Sequence, residues 1–174
     1  SAILKELKKN NVYKIIIKTK KQLDLTNQQK VKEFFKKYKI DSVILAAAKV
    51  GGIYDNQHNP ASYIYDNLMI QTNIIEQANK SGINDLIFLG SSCIYPKKSK
   101  QPIKEKYLLT GPLEKTNESY AIAKIAGIKL CDSYNFQFNR RYKCLMPSNV
   151  YGENDNYDEK TSHFYPAIIR KLYE

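Results

Sequence analysis

The stretch DLIFLGSS, residues 85–92, decides the fold class of this chain. Its apolar run is too short for a helix and is continuous rather than alternating, which is typical of a strand buried on both faces. Long segments with helical spacing lie on either side of it, at 60–82 and 119–138, and Gly82 ends the first of them. The pattern therefore predicts a strand between two helices, which is the repeating unit of a parallel sheet.

Further strands and helices alternate on both sides of this unit. Three more apolar runs predict buried strands, at 12–18, 42–48 and 142–149. Helical spacing also predicts a helix at each end of the chain, within 1–10 and from 165, and another at 26–39 with Thr26 as its N-cap. Alternating elements of this kind, joined by right-handed crossovers, predict a Rossmann-like, doubly wound, parallel α/β sheet.

The predicted sheet is incomplete. A fold of this class normally begins with a strand and a glycine-rich turn, G-x-G-x-x-G, that leads into the first helix. The chain has 7 glycines, none of them before Gly51, and its last predicted helix has just begun when Glu174 is reached. We therefore expect one domain, residues 1–174, without its first strand and glycine-rich turn.

The net charge of +11 would suit a nucleic-acid-binding protein, but its distribution does not favour one. Residues 1–40 carry 12 lysines and 3 acidic residues, and most of these lysines fall on helix faces, where solvated charge is ordinary. We expect no nucleic-acid partner. No apolar run approaches the roughly 18 residues of a membrane-spanning helix, and no signal peptide is visible, so we expect no membrane partner either.

The three cysteines, Cys93, Cys131 and Cys144, have neither the spacing of a disulfide framework nor that of a metal site. We therefore expect no bound metal. An odd number of unpaired thiols favours a reducing compartment, and we expect a cytoplasmic location.

Tyr120 and Lys124 lie four residues apart near the start of the predicted helix at 119–138. At that spacing both side chains lie on one face, where the ammonium would favour the phenolate and lower the pKa of the phenol. A phenol tuned in this way could transfer a proton to a carbonyl or alcohol oxygen. A solvated surface pair is the alternative that the spacing alone leaves open.

Small and polar residues follow the predicted strands, where open α/β sheets bind ligands. Ser91, Ser92 and Cys93 follow the strand at 85–92, and the Ser91 hydroxyl could donate to a substrate carbonyl or simply end the strand. Cys93 could be an acid/base thiol or a buried filler. The alanines of LAAAKVGG (45–52) could admit a ligand or a closely packed helix.

Two further signals are weaker. The segment PSNVYG (147–152) follows the strand at 142–149. His163 and His58 are the only histidines; His163 could be catalytic or incidental, and His58 belongs to no recognisable constellation.

These motifs occupy consecutive strand–helix units, and the strings AAAKVGGI, FLGSSCIYP, YAIAKIAGIKLC and MPSNVYG resemble the extended short-chain dehydrogenase/reductase family. The likeness covers essentially the whole chain. It is closest to the branch of NADPH-dependent epimerase-reductases that convert GDP-4-keto-6-deoxy-D-mannose to GDP-L-fucose. Ser119 and Ser148 stand where that branch usually has proline and threonine.

The resemblance implies a role for each of five side chains. Tyr120 would donate the proton of reduction, and Lys124 would lower its pKa and bind the nicotinamide ribose. Ser91 would polarise the keto oxygen, Cys93 would be the base of epimerisation, and His163 its acid.

The resemblance also implies an NADP-binding Rossmann domain, a smaller lobe for the GDP-sugar that would start near 153–174, and homodimers formed through the helices at 60–80 and 119–138. Lys171 would meet the substrate. Lys20 falls where the family has an arginine for the 2′-phosphate; a lysine keeps the charge but loses the bidentate fork. Besides Lys124 and His163, the cofactor contacts would be Lys20, Lys21, Gln22, Leu23, Asp24, Leu25, Leu89, Gly90, Ser91, Ser92, Pro147, Ser148, Asn149 and Val150.

Two other functions compete with this interpretation. One is a different epimerase or dehydratase of the same superfamily; a simple 4-epimerase would not need the Cys93–His163 pair. The other is a non-catalytic relative, which would not need all five side chains. Because the glycine-rich turn and most of the second lobe lie outside these 174 residues, we expect the free chain to bind NADP poorly and to have little activity.

Overall fold

A three-stranded parallel sheet organises the chain, in a computed structural model that describes residues 2–9, 14–153, 155–158 and 161–174. The strands lie in the order β1 (Ser42–Leu45), β2 (Asp85–Leu89) and β3 (Arg141–Leu145). The helices are α1 (Ala2–Lys9), α2 (Gln28–Lys37), α3 (Ile53–His58), α4 (Pro60–Lys80), α5 (Glu118–Phe138) and α6 (Phe164–Tyr173). The predicted Rossmann-like α/β class is confirmed.

Strand β2 is the centre of the sheet because it pairs with a strand on each side. Its Leu86 and Phe88 are each only 1% exposed, and they join the core with side chains from α2, α4 and α5. This burial explains why the strand reads as a continuous apolar run. All three strands run parallel, so their carboxyl ends, at Leu45, Leu89 and Leu145, share one edge of the sheet.

The predicted strand at 12–18 is wrong over the residues that the structure describes. Residues 14–18 belong to no strand or helix, and residues 12 and 13 lie outside the described part of the chain. A strand needs a partner for its backbone groups. Among the described residues β1 pairs only with β2, so no strand lies on its other side. Residues 14–18 therefore have no neighbouring strand on that side of the sheet with which to pair.

The remaining strands are shorter than predicted, because their last residues leave the ladder and enter the loops at the carboxyl edge. The short helix α3 was not predicted at all. The N-cap of α2 is Asn27 and not Thr26: the Asn27 side chain accepts from Lys30 N at 2.9 Å, whereas Thr26 donates both its backbone N–H and its hydroxyl to Asp24.

Helix α4 ends as its sequence predicts. Its last residue is Lys80, and Gly82 follows with φ of +72°, the left-handed conformation that glycine adopts without strain. The backbone N–H of Ile83 then donates to Ala78 O at 3.0 Å, which closes a Schellman motif. The turn directs the chain straight into β2.

Helices α4 and α5 pack closely against each other. The Gln71 side chain of α4 donates to Ala123 O of α5 at 2.5 Å. At Gly127 the approach is closest: an added Cβ would lie 2.5 Å from the Phe88 ring and 2.8 Å from Gln71 Oε1. Glycine is therefore required there, and it seats α5 directly on β2.

Arg140 ties the opposite, amino-terminal edge of the sheet together. Its guanidinium donates to Asn79 Oδ1 at 2.8 Å, Asn79 O at 3.1 Å and Asn84 Oδ1 at 2.7 Å. These bonds join the end of α4, the start of β2 and the start of β3. No helix in the described part of the chain is long and apolar enough to cross a membrane.

Candidate active site

The loops that follow β2 and β3 leave the sheet side by side. Gly90 N donates to Leu145 O at 2.7 Å, beyond the last ladder pair. A Cβ on Gly90 would come within 3.3 Å of both Leu145 O and Met146 Sδ, so a small residue is needed for this approach. The segments 90–93 and 146–150 therefore begin together at the carboxyl edge of the sheet, as the sequence predicted.

A short 3₁₀ turn, Ser92–Ile94, folds Cys93 back toward Ser91. The Ile94 side chain is buried and anchors this turn in the core. Ser91 Oγ and Cys93 Sγ lie 2.9 Å apart in a hydrogen bond that either atom can donate. Burial raises the pKa of the Cys93 thiol, while the Ser91 hydrogen bond and the charge of Lys124 oppose that rise.

Tyr120 faces the same cluster from the first turn of α5. Burial raises the pKa of Tyr120 to about 12, with a further contribution from Cys93, and a hydrogen bond with Ser91 opposes the rise. The sequence predicted the reverse direction, on the argument that Lys124 would favour the phenolate. That prediction is wrong because loss of water around the phenol dominates and the Lys124 ammonium is directed elsewhere.

The Lys124 side chain is only 3% exposed, so the alternative of a solvated surface pair is excluded. Its Nζ donates to Leu89 O at 2.8 Å, and it lies 4.8 Å from the centre of the Phe88 ring and 5.7 Å from that of Tyr120. Burial lowers the pKa of Lys124 to about 8, although Cys93 opposes this. Two short segments, 89–93 and 120–124, thus supply four of the five predicted catalytic side chains.

No interaction among the described residues connects the fifth side chain, His163, to this cluster. It is the N-cap residue of α6 and its side chain is exposed. The preceding residues contact the turn after β1: Gly52 N donates to Thr161 O at 3.2 Å, and a Cβ on Gly52 would lie 2.8 Å from Ser162 O. His163 therefore belongs to the same edge of the sheet, but none of the contacts found for it reaches Cys93.

The other predicted binding residues are more exposed. Ser92 and Lys171 are exposed, and Pro147–Val150 form a loop in which Val150 is 76% exposed. In the segment 20–25, Lys20, Lys21 and Gln22 are exposed on a tight turn, while Leu23 is buried. Leu25 O accepts from the Asn73 side chain of α4 at 2.9 Å, and Asp24 accepts from Thr26.

Sequence analysis missed a second layer of polar residues behind Tyr120. Asn67 exchanges hydrogen bonds with both backbone groups of Lys49, at 2.9 and 3.0 Å, and holds the turn after β1 on α4. The Tyr63 hydroxyl donates to Asp55 Oδ2 at 2.5 Å. A signal existed: Tyr63, Asn67 and Gln71 recur every four residues on one face of α4, and all three are buried.

Among the described residues, no group of three or more histidine, cysteine and acidic side chains could hold a metal ion.

Comparisons with known proteins agree with this architecture. The chain is 51% identical to the GDP-L-fucose synthase of Escherichia coli (strain K12) over all 174 residues, which are 54% of that protein. The solved GDP-mannoheptose C4 reductase MlghC from Campylobacter jejuni, with NADP bound, matches 99% of the chain and 51% of its own, with a TM-score of 0.91 and 40% identity. A GDP-L-fucose synthetase from Naegleria fowleri bound to NADP matches 99% and 57%, with a TM-score of 0.86 and 29% identity.

The chain spans about half the length of the curated relatives it matches. The model of the NAD dependent epimerase/dehydratase family matches residues 1–174. The cluster at the carboxyl edge, the Rossmann-like sheet and these matches lead to one assignment: as the resemblance to the extended short-chain dehydrogenases/reductases predicted, the chain belongs to the NAD dependent epimerase/dehydratase family.

Proposed function

We propose that the protein containing this chain is an NADPH-dependent epimerase-reductase that converts GDP-4-keto-6-deoxy-D-mannose to GDP-L-fucose. One observation carries the proposal: Ser91, Cys93, Tyr120 and Lys124 converge at the carboxyl edge of the sheet, within hydrogen-bonding or charge–charge reach of one another. The identity of about half of all residues to GDP-L-fucose synthases supports the same choice of substrate.

Epimerisation needs a base and an acid beside a ketone. A 4-ketone acidifies the carbons on either side, and an enolate forms where donors stabilise its oxygen. Ser91 is such a donor. In this proposal Cys93 removes the proton as a thiolate. Burial raises the pKa of Cys93 and disfavours that form, while the Ser91 hydrogen bond and Lys124 favour it. His163, from the start of α6, returns a proton on the other face and inverts the centre.

Reduction then needs a proton for the oxygen of the ketone. Because the pKa of Tyr120 is raised to about 12, its phenol remains protonated at neutral pH and has a proton to give. The alkoxide that forms during reduction is far more basic than a phenolate, so the transfer is still favourable. Lys124 keeps a positive charge beside the phenolate that remains.

The residues at this edge also fit NADP(H), which supplies the hydride when it is bound. Lys124 Nζ has three N–H donors, and Leu89 O is the only acceptor found for it among the described residues, so further donors are available to a ribose hydroxyl. The exposed ammonium groups of Lys20 and Lys21 suit the 2′-phosphate. The loops 89–92 and 147–150 would hold the nicotinamide end.

Three further parts of the proposal concern partners and location. Lys171, exposed on α6, would meet the GDP-sugar. Helices α4 and α5 would form a homodimer, because they present exposed side chains that include Tyr65 and Ile122. A cytoplasmic location is consistent with three free cysteines.

Deuterium exchange in the full-length protein tests the two halves of the reaction separately. We expect Tyr120→Phe to abolish reduction of the ketone, because the proton donor is lost, while solvent deuterium still enters the sugar through epimerisation. Cys93→Ser should instead suppress that exchange first. NADPH consumption and mass spectrometry of the sugar report the two steps. A Tyr120→Phe protein that reduced the ketone at the normal rate would exclude the role given to the phenol.

A C4 reductase such as MlghC is the second candidate, because it shares the Rossmann-like fold and 40% identity with the chain. The same experiment separates the two functions. An epimerase-reductase working in deuterium oxide would place deuterium on both carbons beside the former ketone. A pure C4 reductase would return a reduced sugar without deuterium at those carbons.

A further inference from the structure

Tyr63 is fully buried directly behind the candidate active site, although it carries a polar hydroxyl. The hydroxyl donates to Asp55 Oδ2 at 2.5 Å, and the other carboxylate oxygen of Asp55 accepts from the Asn59 side chain at 2.7 Å. Those two hydrogen bonds lower the pKa of Asp55, while burial and the bond to Asp55 raise the pKa of Tyr63. At neutral pH the phenol therefore keeps its proton, and that proton is committed to Asp55.

The Tyr63 ring is enclosed on several sides. A Cβ on Gly51 would overlap the Tyr63 hydroxyl, so the chain after β1 passes directly against it. Lys49 Nζ lies 5.5 Å from the ring centre, and the backbone oxygen of Tyr63 accepts from Asn67 at 2.8 Å. Because the ring is fully buried and its hydroxyl is bonded to Asp55, moving the ring would cost both close packing and this hydrogen bond.

The Tyr63 ring packs against the ring of Tyr120. The two ring centres lie 6.3 Å apart with an interplanar angle of 82°, the edge-to-face arrangement that aromatic pairs prefer. Ser91 opposes the rise in the pKa of Tyr120, an effect that depends on where the Tyr120 ring places its hydroxyl. Tyr63 itself cannot reach a ligand, because it is buried and its proton is used.

We infer that Tyr63, anchored by Asp55, is a positioning residue that holds the Tyr120 phenol in line with Ser91 for proton donation to the reacting oxygen. This inference rests on the proposed function. It assigns Tyr63 and Asp55 to the reduction half of the reaction, whereas Cys93 and the segment before α6 serve the epimerisation half.

The experiment compares the two halves in variants of the full-length protein. Tyr63→Leu removes both the ring support and the anchor, so the rate of reduction should fall by about one to two orders of magnitude, as a displaced catalytic group would cause. Tyr63→Phe keeps the ring but not the bond to Asp55, and reduction should fall by about tenfold or less. In both variants, deuterium exchange into the keto sugar and the KM for the sugar should remain close to those of the unsubstituted protein.

A second variant displaces Tyr63 through its neighbour Gly51. Gly51→Ala should displace the Tyr63 hydroxyl and lower reduction selectively as well. In the double variant Gly51→Ala/Tyr63→Phe the overlapping hydroxyl is gone, so the two effects should not add.

Tyr134→Phe is the matched control. Tyr134, on α5, also donates to a carboxylate on α4, that of Glu76, but it lies 14 residues beyond Tyr120, or about 21 Å along the helix. Its loss should leave the ratio of reduction to exchange unchanged.

A parallel fall of reduction and exchange in Tyr63→Leu would show a general structural role and overturn the inference. So would an unchanged reduction rate. The Tyr120→Phe protein separates this failure from a failure of the proposed function: if that variant loses reduction while Tyr63→Leu does not, only the role of Tyr63 is wrong.

Discussion

At the scale of one residue, the surroundings of Lys124 determine the pKa of its ammonium group. An ammonium that is only 3% exposed loses most of its water, and in return it has one hydrogen bond to Leu89 O and the face of the Phe88 ring. These contacts do not fully replace water, so the pKa of Lys124 falls from 10.5 to about 8. At neutral pH the lysine is still charged, and the burial of that charge destabilises the folded protein.

The lowered pKa of Lys124 predicts an unusual dependence of the protein's stability on pH. Between pH 8 and 10.5 the unfolded Lys124 keeps a proton that the folded Lys124 has released, so its contribution to the free energy of unfolding rises with pH. We expect the stability of the unsubstituted protein relative to Lys124→Met to increase by about 2 kcal/mol from pH 7 to pH 9.5. Urea denaturation at the two pH values measures this difference.

Lys129→Met provides the reference series, because it removes an exposed ammonium from the same helix. A stability difference for Lys124→Met that stayed constant across the pH range would contradict the burial of its charge.

At the residue scale the sequence predicted which side chains would meet, but not their electrostatics. Ser91, Cys93, Tyr120 and Lys124 could be chosen because strand ends and helical spacing place them at one edge. The direction of the Tyr120 pKa depends on how much water the packed loops exclude, and a spacing of four residues carries no information about that. Tyr63 and Asp55 were missed for the same reason: their contact exists only after α3 and α4 pack.

At the scale of elements, the position of α5 depends on Gly127. Lys124 reaches the sheet edge because this helix lies against β2 and α4 with no side chain at the closest point. The absence of a Cβ at Gly127 therefore determines how close Tyr120 and Lys124 lie to the sheet.

Gly127→Ala should destabilise the fold by about 1–3 kcal/mol, the usual cost of overpacking, although alanine is the better helix former. Because α5 must move, the proposed reduction in the full-length protein should weaken as well. Thermal unfolding and NADPH consumption measure the two effects.

Two variants separate crowding from backbone strain. Phe88→Leu removes the ring atoms that the new methyl would meet, so Gly127→Ala should cost less in that background. Gly82→Ala also destabilises, by about 1 kcal/mol, but through its φ of +72° with open space around it. Phe88→Leu should not reduce that cost; equal costs of Gly127→Ala in both backgrounds would exclude crowding.

The sequence predicted most elements, and the exceptions have physical causes. Helix α2 has strong apolar periodicity, and α4 is followed by Gly82 as a clear termination signal; both are local properties. The strand predicted at 12–18 failed over residues 14–18 because a strand is defined by its partner, and partners are not local. Helix α3 has only six residues, too few for a periodic pattern to be recognised.

At the scale of the whole molecule, stability and chemistry lie at opposite edges of the sheet. Arg140 joins α4, β2 and β3 at the amino-terminal edge through three hydrogen bonds. The cluster around Tyr120 lies at the carboxyl edge. A change at the first edge can therefore weaken the fold without moving the reacting groups.

Arg140→Lys should lower the free energy of unfolding by about 1–2 kcal/mol, because a lysine cannot reproduce a three-bond fork. The rates of reduction and exchange should stay unchanged. Arg141→Lys is the matched control: its bond with Asp85, at 2.5 Å, is exposed, so its loss should change the free energy of unfolding far less. Loss of activity in a folded Arg140→Lys protein would contradict this separation of the edges.

Four of the five proposed reacting groups come from two short segments, 89–93 and 120–124, and the chain between these segments forms a long surface loop. An ion pair of 2.7 Å between Lys97 and Glu114 closes the loop near its ends. Insertions or deletions inside it would leave the phenol, the thiol and the ammonium where they are. A change in the length of this loop could therefore alter the surroundings of these groups without altering the groups themselves.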